Sequence, residues 1–202
     1  MNGVVSATYS YDANSNRIGV VSAAETVTSA QITLNADDQL TRYGDTLYQY
    51  NAAGQRTRKS DGPAITQYTY GVMGELQQVV LPDGRTLTYQ YDALKRRIGR
   101  KINGTTTHRY LWAGGLSPVA EVDANGVTTT AYVYGTGINV PDYFMRGGVT
   151  YMFVRDHLGS VRFVVNAASG VVVQELRYDT FGQVLLDSNP GFQPFGFAGG
   201  LY

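Results

Sequence analysis

The sequence predicts an all-β fold, a long antiparallel meander of β-hairpins, and three observations carry that reading. Tyrosine and glycine are abundant, at 16 and 24 of 202 residues; tyrosine suits the half-buried face of a pleated strand and glycine suits turns. Tyr-x-Tyr pairs recur along the chain, each followed by a turn-prone residue. Asp-Gly, Asn-Gly and related dipeptides recur in a second register.

The pairs are Tyr9/Tyr11, Tyr48/Tyr50, Tyr68/Tyr70, Tyr89/Tyr91 and Tyr132/Tyr134, followed by Asp12, Asn51, Gly71, Asp92 and Gly135. Their spacing is close to one or two copies of a period of about 21 residues, the mark of a repeat architecture. Weaker copies fill the gaps: Ile32/Leu34 with Asn35, Tyr110/Trp112, Phe153/Arg155 with Asp156, and Leu176/Tyr178 with Asp179. Residues two apart share one face of a strand. In the stretch 86–91, Leu87, Tyr89 and Tyr91 therefore face one way and Thr86, Thr88 and Gln90 the other. After the second aromatic, Asp or Asn can bond the backbone two residues on, and a glycine shortly after supplies positive φ. Gly54, Gly74, Gly159 and Gly182 fill that slot, whereas Lys95 breaks the rule. The second register is Asp61-Gly62, Asp83-Gly84, Asn103-Gly104, Asn125-Gly126, Gly147-Gly148 and Ser169-Gly170. These read as two-residue hairpin turns. Each repeat is thus two strands and two turns.

Helical signals are nearly absent. The stretch Ser22–Gln39 contains Ala-Ala-Glu, but its Thr and Val content predicts strand and loop. No domain boundary is visible, so residues 1–202 read as a single domain, with loops near 137–142, where Pro141 excludes a central strand, and near 187–191.

Lys plus Arg equals Asp plus Glu, at 16 each. That balance gives no field to steer the chain onto nucleic acid or an anionic membrane. The absence of cysteine excludes a disulfide framework and thiolate metal sites. The Met1-Asn2-Gly3-Val4 start has no signal-peptide character, and no apolar run is long enough to span a bilayer.

Tyr-Asp followed by a turn glycine, repeated at this period, resembles the YD repeat of the Rhs and teneurin group. Three stretches sharpen the likeness: Arg155-Asp156-His157-Leu158-Gly159-Ser160-Val161-Arg162, Tyr178-Asp179-Thr180-Phe181-Gly182-Gln183, and Pro194-Phe195-Gly196-Phe197-Ala198-Gly199-Gly200-Leu201-Tyr202. The resemblance implies a curved sheet forming part of a hollow shell or barrel. It implies a secreted or cell-surface bacterial protein, with type VI secretion as one export route, whose shell encloses or displays a C-terminal toxin. The implied partners are the rest of the shell and that toxin. Bacterial members end the shell with an Asp-Pro-x-Gly-Leu self-cleavage element, which is missing here, so the chain is expected to be a fragment or truncated copy. Roughly 16 strands about 4.8 Å apart would roll into a tube roughly 25 Å across, enough for side chains or a short peptide. Open sheet edges predict self-association.

The candidate site positions are therefore structural, at Tyr11, Asp12, Tyr50, Gly54, Tyr70, Gly74, Tyr91, Asp92, Asp156, His157, Gly159, Tyr178, Asp179 and Gly182. Asp156, His157 and Ser160 crowd three triad residue types together, but a triad needs its base between nucleophile and acid. A turn with a hydrogen-bonded His157 is expected instead. Two histidines and no cysteine argue against zinc, and no cofactor is expected. Asp37/Asp38 and Glu121/Asp123 have no spacing that sets up sugar hydrolysis. The basic clusters 56–59 and 95–101 split over both strand faces, which argues against nucleic acid. No enzyme activity is expected. The alternative is a glycan- or receptor-binding module that uses the tyrosine stripe; a binding site would gather its aromatics in one place.

Overall fold

Frequent corners and alternating side chains leave no stretch of helical period, and the described residues contain no α-helix. The structure is a computed structural model and describes residues 7–22, 25–115, 117–179 and 181–201. The readings made on Met1–Val4, Ala23, Ala24, Thr180 and Tyr202 lie outside those residues. Sixteen strands, from Ile32–Leu34 to Val184–Asp187, form one antiparallel sheet in which every strand neighbours the next in sequence. Ala7–Tyr11, Arg17–Ser22 and Thr26–Val27 form a separate three-stranded sheet in the same consecutive order. The Ser22–Gln39 stretch holds the strands Thr26–Val27 and Ile32–Leu34 and a single 3-10 turn, Ser29–Gln31.

Two compact units make up the chain, Met1–Tyr89 with Ile102–Gly104 and Gln90–Lys101 with Thr105–Tyr202. The first has a small core of Val20, Val27 and Ile32, flanked by Tyr9, Leu34, Leu40 and Tyr43. The second has a larger one of Tyr132, Val140, Phe144, Phe153, Val161, Val164, Leu176 and Phe195. Register explains how it is built: Phe144 lies opposite Tyr151 and Phe153 opposite Val164, so the rings line one face of adjacent strands. Met145, Met152, Val154 and Phe163 point to the other face and are exposed.

The two turn registers are not two turn types. Asn103-Gly104 and Gly147-Gly148 are two-residue hairpin turns with positive φ at both positions, as the sequence suggests. At Asp61-Gly62 the loop is displaced by one residue. Asp61 pairs with Ala64 across Gly62-Pro63, because proline cannot supply a ladder N–H. Ser169-Gly170 belongs to a longer loop in which the Gly170 and Val171 region folds back on Asn166. Asp83-Gly84 and Asn125-Gly126 sit in five-residue corners of the other class, with Gly84 N–H donating to Leu81 O and Gly126 N–H to Asp123 O.

Lys95 does not break the corner. It adopts φ 61°, the conformation that Gly54 (77°) and Gly159 (83°) adopt in the same slot. A side chain there costs roughly 1 kcal/mol or more. Lys95→Gly is therefore expected to raise the unfolding free energy by about 0.5–1 kcal/mol, the extra chain entropy of glycine offsetting part of the relief. Urea denaturation measures it; a destabilised variant would contradict the strain assignment.

Candidate functional site

The unit that recurs is a five-residue corner closed by an Asp or Asn. At Asp12, Asn35, Asn51, Asp92, Asp123, Asp156 and Asp179 the side-chain Oδ1 accepts the N–H groups of residues two and four further on, at 2.8–3.0 Å. The backbone adds an N–H donated to the carbonyl four residues on and one accepted from three residues on, as at Asp156 with Ser160 and Gly159. That three-residue loop with a left-handed residue adds one residue to the strand that follows. The register accordingly shifts beside Tyr11, Tyr50, Tyr70 and Tyr178. Desolvation pushes the Asp12, Asp92 and Asp156 carboxyls up, but the converging N–H donors outweigh it and hold all three below the usual carboxylate range.

The second aromatic of a pair fastens one corner to the one before it. Tyr50 Oη donates to Leu40 O (2.8 Å), Tyr70 Oη to Arg56 O (3.0 Å), Trp112 Nε1 to Arg97 O (3.1 Å) and Tyr134 Oη to Pro118 O (2.8 Å). Each acceptor follows directly on the preceding corner. The ring supplies buried area and its polar tip satisfies a carbonyl, which gives the Tyr-x-Tyr spacing a physical purpose. The first aromatics stack on arginine: the Arg56 guanidinium lies 4.7 Å from the Tyr68 ring centre and 5.7 Å from that of Tyr48. Tyr11 ends its strand largely exposed, Tyr91 lines a cleft, and Tyr178 packs edge-on to Phe197. Gly54, Gly74, Gly159 and Gly182 all take positive φ.

The Asp156 corner does not assemble a triad. Ser160 is fully buried and its Oγ accepts the Ala198 N–H (3.0 Å), while Asp156 holds backbone N–H groups. His157 is exposed and makes no hydrogen bond among the described residues, contrary to the expected hydrogen-bonded histidine, because the turn directs its side chain to solvent. Asp156→Ala removes the one oxygen that accepts two corner N–H groups and is expected to cost about 1 kcal/mol. The same loss in Asp156→Asn would contradict the corner role, since an amide oxygen accepts the same bonds, as it does at Asn51.

Two features escaped the sequence reading. The first is a buried carboxylate. Glu121 accepts Tyr132 Oη (2.9 Å), Thr130 Oγ1 (3.4 Å) and Arg146 Nη2 (3.4 Å), with His108 Nδ1 at 3.5 Å. Burial pushes its carboxyl up, but the His108 and Tyr132 bonds and the Arg146 charge hold it below the ordinary range. Burial and the Glu121 charge push the Tyr132 and Tyr110 phenols well up. The second is a closing segment, residues 191–201, that runs back over the aromatic face of the second unit. Phe192 packs on Phe144 and Tyr151, and Phe195 on Tyr132 and Phe153. Arg146 Nη1 donates to Phe192 O (2.6 Å), Val161 N to Gly196 O (3.2 Å) and Asn139 Nδ2 to Ala198 O (3.2 Å). The loop before it contributes too: Val140 is fully buried, and Asp142 holds Thr136 and Arg155. Among the described residues, no group of three or more His, Asp or Glu side chains is placed to hold a metal ion, and no helix is long and apolar enough to cross a membrane.

The family model for the teneurin YD-shell matches residues 1–202. The tRNA3(Ser)-specific nuclease WapA of Bacillus spizizenii is 28% identical over 86% of this chain, and teneurin-1 of Gallus gallus is 27% identical over 96%. The chain spans 7% of the length of each. A chain of the Photorhabdus luminescens Tc holotoxin pore superposes with a TM-score of 0.61 at 15% identity, covering 96% of this chain and 10% of that one, which shows a shared fold. With consecutive strands, recurring Tyr–Asx corners and a match along its whole length, the chain belongs to the teneurin YD-shell family and is a structural module of that shell type.

Proposed function

We propose that this chain is a non-catalytic wall segment of a shell that encloses or displays a C-terminal effector in an exported or cell-surface bacterial protein. The observation that carries this reading is the closing segment. After the last strand, Val184–Asp187, the chain leaves the sheet edge and crosses onto the aromatic face, where Arg146, Ser160 and Asn139 hold it. Leu201, the last described residue, lies on that face and not at the sheet edge. The corners support the structural role of these positions, since the Asp12, Asp92, Asp156 and Asp179 carboxylates and the Tyr50 and Tyr70 hydroxyls hold backbone. Export of the parent protein, by type VI secretion or another route, follows from the same reading.

The test uses the full-length protein. A protease-recognition sequence placed after residue 202 is expected to resist cleavage under native conditions, while one placed in the exposed Gly147-Gly148 hairpin is cut readily. Equal cleavage at both sites would reject enclosure. Turnover of tRNA by this chain, abolished by His157→Ala, would reject a non-catalytic wall.

Among the described residues, the end strands, Ile32–Leu34 and Val184–Asp187, each have a sheet neighbour on one side only. Such edges template pairing with the rest of the shell or with another copy. The isolated chain is expected to self-associate with rising concentration in light scattering, and Leu185→Lys, on the exposed last strand, to reduce it. A clean monomer at every concentration would contradict edge pairing.

A further inference from the structure

The aromatic face of the second unit is covered by its own closing segment, through Phe192 and Phe195. The opposite face of the same strands has no such cover among the described residues, and it is apolar. Strand register lays its side chains out in rows across the sheet. One row runs Leu111, Ala120, Ala131, Met145 and Thr150. The next runs Val133, Tyr143, Met152, Val165 and Val172. A third runs Val154, Phe163 and Glu175. Leu111, Met145, Met152, Val154 and Phe163 are each between 37% and 50% exposed.

Area, charge and packing geometry point to one occupant. At about 4.8 Å between strands and about 7 Å between residues on one face, the rows cover roughly 450 Å². Exposed apolar patches of that size mark contact surfaces. Two such faces together remove roughly 900 Å² of flat area, and more once side chains interdigitate, which reaches the roughly 1,000 Å² that a specific interface needs. The one charged side chain in the rows, Glu175, is bonded to Arg177 at 2.8 Å, so nothing there is left to recruit a charged partner. The chain as a whole is balanced, with 16 basic and 16 acidic residues, so net charge does not push two copies apart. Sheets pack face to face about 10 Å apart, and methionine adapts to fill the gaps between two layers. An apolar face without a charge pattern is complementary to itself, as a two-fold interface requires. We propose that this face pairs with the same face of a second copy of the chain, in a closed dimer. Pairing at two unlike sheet edges extends from copy to copy, whereas this contact stops at two.

Sedimentation velocity tests the dimer on the Leu185→Lys chain, in which pairing at the last strand is suppressed. A single dimer species is expected, with a Kd of the order of 10 µM. Adding Met152→Lys, at the centre of the rows, or Met145→Lys places an unpaired ammonium in the interface from each copy. Either should weaken dimerisation at least about tenfold with circular dichroism unchanged. Leu158→Lys, at an exposed corner outside the rows, should leave the dimer as it was. A monomer at concentrations up to about 200 µM overturns the proposal and assigns the face to a different partner. A dimer that neither Met152→Lys nor Met145→Lys weakens also overturns it, since the contact then lies elsewhere. The dimer does not rest on enclosure, and the protease test can fail while it stands.

Discussion

Phe195→Ala is expected to lower the unfolding free energy by about 4 kcal/mol. The side chain is fully buried and meets Tyr132 edge-on at 5.1 Å and Phe153 at 5.6 Å. Truncation loses the transfer free energy of the ring, leaves a cavity between strands that cannot collapse freely, and removes two favourable aromatic pairings. The backbone around it is already fixed, since Gln193 Oε1 accepts the Phe195 N–H (2.6 Å) and Gln193 Nε2 donates to Phe195 O (2.9 Å). Relaxation of the closing segment should therefore recover little. Leu94→Ala, at a corner residue 73% exposed, is expected to change stability by less than about 0.5 kcal/mol. Guanidinium denaturation followed by Trp112 fluorescence reads the same unit. A loss below about 1 kcal/mol at Phe195 would mean that the segment rests on the sheet without forming part of its core.

The corners were legible in the sequence because their chemistry is local. Asp156 and its N–H donors Leu158 and Ser160 lie within five residues, and side-chain alternation needs only the strand between two corners. The dipeptides misled for the same reason. Asn103-Gly104 and Asn125-Gly126 have the same letters, but Asp123 captures the second into a five-residue corner. At Asp83-Gly84 the carboxylate instead takes the Arg85 N–H and guanidinium, and the corner closes on Leu81 without an Asx side chain. The Glu121 network was out of reach because His108, Glu121, Arg146 and Phe192 are brought together only by the stacking of successive strands. Its one local trace is an acid set among Val119, Ala120 and Val122. The closing segment left a clearer trace in Phe195 and Phe197, which lie in a stretch the resemblance named without saying what the rings cover, and in Phe192 just before it.

The Glu121 network should govern acid stability in the second unit. Arg146 joins three things: Glu121 through Nη2, Thr130 through Nε (2.8 Å) and the Phe192 carbonyl through Nη1 (2.6 Å). Arg146→Ala leaves a buried carboxylate without its permanent positive partner and frees the start of the closing segment, a loss of about 3 kcal/mol at neutral pH. The pH dependence has a definite sign. The folded state holds the Glu121 carboxyl below its free value of 4.5, so its ionised form adds stability that is fully present above pH 4.5. That contribution is lost as pH falls through the lower, folded value. Removing Arg146 lets the folded value rise, so the difference between wild type and variant should be greatest near neutrality and shrink below pH 4.5. Glu121→Gln with Arg146→Ala completes a double-mutant cycle. A coupling of more than about 1 kcal/mol at neutral pH that fades in acid is the expected result. Additive losses with the same size at every pH would mean that Arg146 acts through Phe192 and Thr130 alone and that the carboxylate is a bystander.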